Sequence, residues 1–253
     1  MPTDDERANC RFWDVDADDY QGLHGPTLAA APMAWGPFRH PESDLGVLGD
    51  VAGRDVLEYG CGAAQWSMAL RELGAHVVGL DISRSQLTHA RRNDARVTLV
   101  AAAATEAPFA RASFDIVFCD HGATSFCDPA LTVPEVARLL RPGGRFAFSI
   151  SAPLLWWTYD ERRDRQTDRL RNPAFGRRRW HVEGGTVDYC ILAGEWLRLF
   201  ARHGLIPVDC IELPVPAGAS TTYGDYIDAD LAASWPFEQI WIATRAPVTP
   251  VSS

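Results

Sequence analysis

Asp55-Val56-Leu57-Glu58-Tyr59-Gly60-Cys61-Gly62 is the stretch on which the reading of the fold turns. Its first five residues make a short buried strand, and the glycines stop it. Ala64 to Leu73 follows with Trp66, Ala69, Leu70 and Leu73 at helical spacing, closed by Gly74. His76 to Leu80 is a second strand, ending at Asp81. Two glycines let a ligand approach the backbone, and the helix start presents N–H groups without partners. An acid at the end of the second strand accepts both hydroxyls of a ribose. Together these features point to an adenosine-containing ligand.

The alternation continues outward. Ser83 caps a helix reaching about Asn93, and Val97 to Val100 is a third strand. Phe114 to Cys119 is a fourth, Val133 to Leu140 a helix, and Arg145 to Ile150 a fifth strand after Pro142-Gly143-Gly144. Such spacing means right-handed βαβ units and a parallel sheet, with ligands at the carboxyl ends of the strands. Residues 1–53 read as an N-terminal segment of one or two short helices and loops, lying as a lid before the domain at 54–245. Residues 152–192 and 214–236 are insertions, and 246–253 a tail. Glu195 to His203 is a helix, Ile206 to Leu213 a strand and Phe237 to Arg245 a last apolar strand.

The residues of the first turn separate two cofactors. A dinucleotide such as NAD brings a pyrophosphate, and in its GxGxxG pattern the third glycine falls here on Gln65. Glu58, in the strand just before the glycines, would repel a pyrophosphate. S-adenosylmethionine has no phosphate; its sulfonium and ammonium are both helped by a nearby carboxylate. The reading is therefore S-adenosylmethionine.

Composition supplies exclusions. The 253 residues are 47% hydrophobic and 23% charged, ordinary values for a globular chain with a substantial core. The formal net charge of -9 argues against a bulk electrostatic grip on nucleic acid or anionic membrane. All 24 Lys+Arg residues are Arg. Without lysine there is no Walker A loop and no Schiff-base chemistry. The cysteines, Cys10, Cys61, Cys119, Cys127, Cys190 and Cys210, show no CxxC pair and no zinc-finger spacing. No His/Asp/Glu set has metal-ligand spacing, so no metal is expected. The acidic start, Thr3-Asp4-Asp5-Glu6, is unlike a signal peptide, and no stretch is long and apolar enough to span a bilayer. A cytoplasmic protein is the expectation.

Four ordered motifs carry a family resemblance. Asp55 to Gly62 is the first, and Val78-Gly79-Leu80-Asp81-Ile82-Ser83 the second. Ala107-Pro108-Phe109 with Ser113-Phe114-Asp115-Ile116-Val117 is the third, and Leu139-Leu140-Arg141-Pro142-Gly143-Gly144-Arg145 the fourth. From Asp55 to Ser151 the chain resembles the class I S-adenosylmethionine-dependent methyltransferases of the type 11-like group. The resemblance implies an α/β, Rossmann-like, seven-stranded and mostly parallel sheet with an antiparallel last strand and helices on both faces. Phe237 to Arg245 would be that last strand. It also implies residue roles. Glu58 lies near the methionine amino end; Gly60, Cys61 and Gly62 form the close turn; Asp81 takes the ribose hydroxyls and Ile82 packs on adenine. Ala104 and Thr105 lie at the adenine edge, and Cys119 and Asp120 beside the reacting methyl. Two positions depart from the family pattern: the usual GTG is Gly62-Ala63-Ala64, and the adenine-reading acid falls at Ala103.

Asp120 and His121, after the fourth strand, are the catalytic candidates, because imidazole has the intrinsic pKa of a general base. Tyr20 and His24 are candidates for a lid, and Trp156, His181 and Tyr189 for the acceptor pocket in the first insertion. The Arg-rich run from Arg162 to Arg179 is interleaved with acids and reads as a self-paired surface. The expected function is methyl transfer to a small-molecule acceptor, with secondary metabolism as its expected context. A methyltransferase acting on tRNA or protein, and a non-catalytic S-adenosylmethionine-binding protein, are the alternatives.

Overall fold

The computed structural model describes residues 1–163, 165–182, 185–215, 218–224 and 227–247. The tail from Val248 onward and Asp164 of the mixed-charge run lie outside the described residues. So do positions 183, 184, 216, 217, 225 and 226 of the insertions.

The main sheet holds β1 (Asp55–Tyr59), β2 (His76–Asp81), β3 (Thr98–Ala101), β4 (Phe114–Asp120), β5 (Leu140–Ser151), β6 (Leu205–Glu212) and β7 (Glu238–Arg245). Their order is β6-β7-β5-β4-β1-β2-β3. β7 runs antiparallel to β5 and β6, and the other neighbours are parallel. The expected mostly parallel sheet with an antiparallel last strand is what the chain forms.

The strands are apolar throughout because helices cover both faces. The pleat sends alternate residues to opposite sides. Leu57, Val117, Phe146 and Phe148 enter one core, beneath α4 (Pro129–Leu139) and α5 (Ala193–Arg202). Val56, Ile116, Phe118 and Ala147 enter the other, with Trp66 and Leu70 of α2 (Gln65–Glu72) and with Trp35. α3 (Arg84–Asn93) is capped by Ser83, whose side chain accepts from Gln86 N. α1 (Asp4–Ala30) lies across α3: Asp14 accepts from Ser83 Oγ at 2.8 Å and from Ser85 N at 3.1 Å.

Three departures from the sequence reading have physical reasons. The N-terminal segment was expected to hold short helices, yet α1 is one helix of 27 residues. A capping box of Thr3 and Glu6 starts it, and it runs through Pro26, which removes one backbone donor and crowds the carbonyl of the preceding turn. α4 begins at Pro129, not Val133, because Asp128 caps it and proline suits the first helical turn. β5 begins at Leu140, not Arg145, and carries the Pro142-Gly143-Gly144 turn as a bulge between the Phe114 and Ile116 pairings. A Cβ on Gly144 would lie 2.9 Å from Arg141 O. The first insertion forms a helix, Pro153–Thr158, and two hairpins, one pairing Arg179–His181 with Val187–Tyr189.

The order fixes where a ligand can sit. From β1 the chain builds outward to β2 and β3, then returns to place β4 on the other flank of β1. The loops after β1 and β4 therefore diverge, and a crevice opens between them. Phe148, fully buried against Phe146, Trp196 and Phe200, supports the floor of this arrangement. Phe148→Ala should lower unfolding free energy by about 3–5 kcal/mol, read from the midpoint of a urea transition.

Candidate active site

The carboxyl ends of β1, β2 and β4 open on a cavity of about 360 Å3, covered by α1 and the two insertions. That is the size of a small-ligand site.

Glu58 of β1 is 5% exposed and lines the cavity. Its Oε2 accepts from Ser67 N at 2.9 Å and from Ser67 Oγ at 2.5 Å. Burial pushes its carboxyl up to about 8 against these hydrogen bonds, and the charges of Asp120 and Asp81 push the same way. Asp81 ends β2; its Oδ2 accepts from Gly62 N and its Oδ1 from Ser83 N, both at 2.8 Å. Burial raises its pKa too, opposed by the amides. The amides of Gly62, Ser83 and Ile82 act on a carboxylate with about four acceptor sites, so it can still take a hydroxyl.

The glycines divide their work. A Cβ on Gly60 (φ +90) would lie 2.5 Å from Ala123 N, and one on Gly122 would lie 2.5 Å from Gly60 O. The close approach at Gly60 is thus made by the chain's own loop after β4, not by a ligand as expected. Gly62 (φ +50) has only the Gln86 side chain nearby, at 3.8 Å. Gly60, Cys61 and Gly62 all line the cavity.

Asp120 ends β4 and is heavily engaged. Its Oδ1 accepts from Gly36 N at 2.9 Å and from Ser149 Oγ at 2.5 Å; its Oδ2 lies 3.4 Å from Trp66 Nε1 and 3.5 Å from Arg39. His121 follows with a left-handed backbone (φ 52) and places Nε2 at 2.5 Å from Glu238 Oε2. Burial works against its charge, but Glu238, then Asp120 and Asp188, outweigh burial and raise its pKa to about 9. At neutral pH Asp120 is an anchor with four partners and His121 an imidazolium. Neither has the form of a free base.

The other expected site residues divide into two groups. Ile82, Ala104, Tyr20, His24, Trp156 and Tyr189 line the cavity. Tyr20 bonds the Tyr223 hydroxyl at 2.7 Å, His24 bonds Thr222 at 2.7 Å, and His24 stacks on Tyr223. Tyr189 also reaches Asp5. Three residues do not line it. His181 is exposed and sits 2.8 Å from Arg179. Thr105 gives its hydroxyl to Glu6 at 2.8 Å. Cys119 belongs to the core, its Sγ accepting from Gly122 N at 3.1 Å and Thr124 Oγ1 at 3.2 Å.

Sequence reasoning missed Glu6, Asp188, Tyr223 and Glu238. Glu6 brings an acid from α1 to the loop where Ala103 leaves none on the sheet, and it lines the cavity. Asp188 and Glu238 stand in apolar strand contexts, between Val187 and Tyr189 and beside Phe237. A buried acid breaking such a run was the available signal. Among the described residues no cluster of His, Cys, Asp and Glu is placed to hold a metal ion. Among them no helix is long and apolar enough to cross a membrane.

Residues 57–148 match the family described as Methyltransferase domain. Over those residues the chain is similar to the class I methyltransferases. Demethylmenaquinone methyltransferase from Clavibacter sepedonicus is 41% identical over 98 residues, 38% of this chain and 40% of that protein. The match thus spans about two-fifths of that relative's length. Among solved structures, an S-adenosylmethionine dependent methyltransferase from Mesorhizobium loti superposes with TM-score 0.63 at 22% identity, over 80% of this chain and 96% of its own. The Burkholderia thailandensis 1,6-didemethyltoxoflavin-N1-methyltransferase, solved with 1,6-didemethyltoxoflavin and S-adenosylhomocysteine, gives 0.57 at 17% identity over 97% and 92%. These two likenesses establish the shared fold.

Gly60→Ala adds a methyl against backbone and strains a left-handed residue. It should lower the thermal midpoint by several degrees, corresponding to about 1–3 kcal/mol. Gly62→Ala meets open space and should cost less, so the difference in midpoints tests the division between the two glycines.

Proposed function

We propose that this protein transfers a methyl group from S-adenosylmethionine to a small-molecule acceptor held under its roof. The observation that carries the reading is a set of buried carboxylates, Glu58 and Asp81 foremost, around a cavity at the point where strand order reverses. Such a site favours a cation. The guanidinium that lines it, Arg39, is turned to Asp120, so the glycine turn has no basic cradle for a pyrophosphate. Asp81 would hold the ribose hydroxyls, Ile82 and Ala104 the adenine, and Glu58 the methionine ammonium. When bound, the cofactor supplies a methyl group already activated on a sulfonium. The protein's task is then alignment, exclusion of water and proton removal.

A small acceptor is supported by the covered, aromatic-walled cavity and by the names of the relatives, a demethylmenaquinone and a didemethyltoxoflavin enzyme. A macromolecular acceptor finds less support. Three consecutive arginines of the first insertion are spent on acids of the same chain: Arg179 on Asp5 at 2.5 Å, Arg178 on Glu195 at 3.3 Å, Arg177 on Glu161. Cytoplasmic residence and a role in secondary metabolism belong to the same proposal.

Calorimetric titration with S-adenosylmethionine, S-adenosylhomocysteine and NAD is the test. The two sulfur ligands should bind and NAD should not, and Asp81→Ala should weaken binding at least tenfold, ~1.4 kcal/mol. Binding of NAD alone would overturn the reading. Tight binding without S-adenosylhomocysteine production on any small acceptor would favour the non-catalytic alternative.

Glu58 makes a second expectation. With its pKa near 8 it is mostly protonated at neutral pH, and a cation beside it favours the carboxylate. S-adenosylmethionine binding should therefore release a proton below pH 8 and tighten as pH rises towards 8. Heats measured in buffers of different ionisation enthalpy read this release, and Glu58→Gln should remove it.

A further inference from the structure

Asp188 reaches the cavity from the hairpin of the first insertion. It is 7% exposed, lines the cavity, and its Oδ1 has no hydrogen-bond partner. Thr186 supplies a hydrogen bond to the same carboxyl. The strand beneath it is pinned from α1: Asn9 accepts from Val187 N at 2.7 Å, donates to Val187 O at 2.9 Å, and donates to Phe126 O at 2.8 Å. Ser125, the residue before Phe126 in the short helix Ala123–Phe126, also lines the cavity with a buried hydroxyl that has no partner. Two unpartnered oxygens thus border a chamber walled by Trp13, Tyr20, Phe126, Trp156 and Tyr223. Buried polar atoms are almost always paired, so this pair marks where a ligand completes the bonding.

We infer that Asp188 is the proton acceptor of the reaction and that the acceptor substrate is a planar aromatic carrying a hydroxyl. The inference rests on the methyl-transfer reading above. The flat rings sort for a flat molecule, and a carboxylate oxygen lacking a donor sorts for an O–H. In the transfer the acceptor's O–H bond breaks and its proton passes to Asp188 Oδ1. The oxygen's electron pair forms the new O–CH3 bond while the S–CH3 bond breaks, its electrons remaining on sulfur. The products are an aryl methyl ether, neutral S-adenosylhomocysteine and protonated Asp188.

The surroundings suit this role. Burial pushes the Asp188 carboxyl up to about 7, while the His121 imidazolium and the Thr186 hydroxyl hold it down. The charged groups facing it are His121 from the β4 loop with Glu238 of β7 behind; the Cys190 thiol follows just past the end of its strand. His121, kept charged by Glu238, positions charge beside the reacting oxygen and leaves proton removal to Asp188.

The test uses full-length protein saturated with S-adenosylhomocysteine and two probes, 2-naphthol and 2-methoxynaphthalene, compared by calorimetry. Wild type should prefer the naphthol at least tenfold, and Asp188→Leu should erase the preference. With S-adenosylmethionine, single-turnover conversion of 2-naphthol to its methyl ether should be at least a hundredfold slower in Asp188→Asn, with Asp188→Glu partly restored. Equal binding of the two probes by wild type, a preference retained in the Leu variant, equal rates, or no conversion by wild type would each overturn the inference. S-adenosylhomocysteine affinity serves as the separate readout. If wild type binds it and the variants match, the site is folded and only Asp188 is being judged. If wild type fails to bind it, the methyl-transfer reading itself falls.

Discussion

Carboxyl groups crowded at the carboxyl ends of three neighbouring strands are the constraint around which this molecule is arranged. Glu58, Asp81 and Asp120 are each held away from bulk water, and like charges in a low-dielectric pocket repel. The chain answers locally. Ser67 spends two donors on Glu58, the turn after β1 and the start of α3 spend amides on Asp81, and four groups converge on Asp120. Those four come from Gly36 and Arg39 of the N-terminal segment, from α2 and from β5. One carboxylate therefore fastens the sheet, a helix and the roof together. What the protein's own donors leave unbalanced, a cationic ligand can balance.

Much of this was legible in the residues because it depends on local chemistry. The strand ends, Ser83 as cap and the acid closing β2 are set by alternation, capping and spacing within a few residues. The antiparallel β7 was legible only through resemblance, since periodicity carries no direction. What stayed hidden depends on contacts between distant segments. Gly60 looked like a place for a ligand, but its partner is the backbone at Gly122 and Ala123. Thr105 looked like a site residue, but Glu6 of α1 takes its hydroxyl. The long α1 was obscured by Gly22, Gly25 and Pro26, which locally argue for a stop and are overruled by packing on α3. Asp188 and Glu238 could be seen as acids among apolar neighbours, but their convergence with His121 could not.

The pairing of His121 with Glu238 also shows how position changes chemistry. Imidazole has the intrinsic pKa of a base, yet a carboxylate at 2.5 Å from its Nε2 makes it a fixed cation. Removal of a proton then has to come from another group, and the first insertion, which interrupts the sheet's alternation, is the segment that carries Asp188.

The roof has a seam. Tyr20 and His24 of α1 meet Thr222 and Tyr223 of the second insertion through hydroxyl and ring-nitrogen hydrogen bonds and one stacked face, with no ion pair among them. A seam of uncharged groups parts without separating charge, so its opening is insensitive to ionic strength and needs only water to replace two hydrogen bonds. An occupant packed against Tyr20, His24 and Tyr223, all of which line the cavity, would add apolar contact to both sides of this seam.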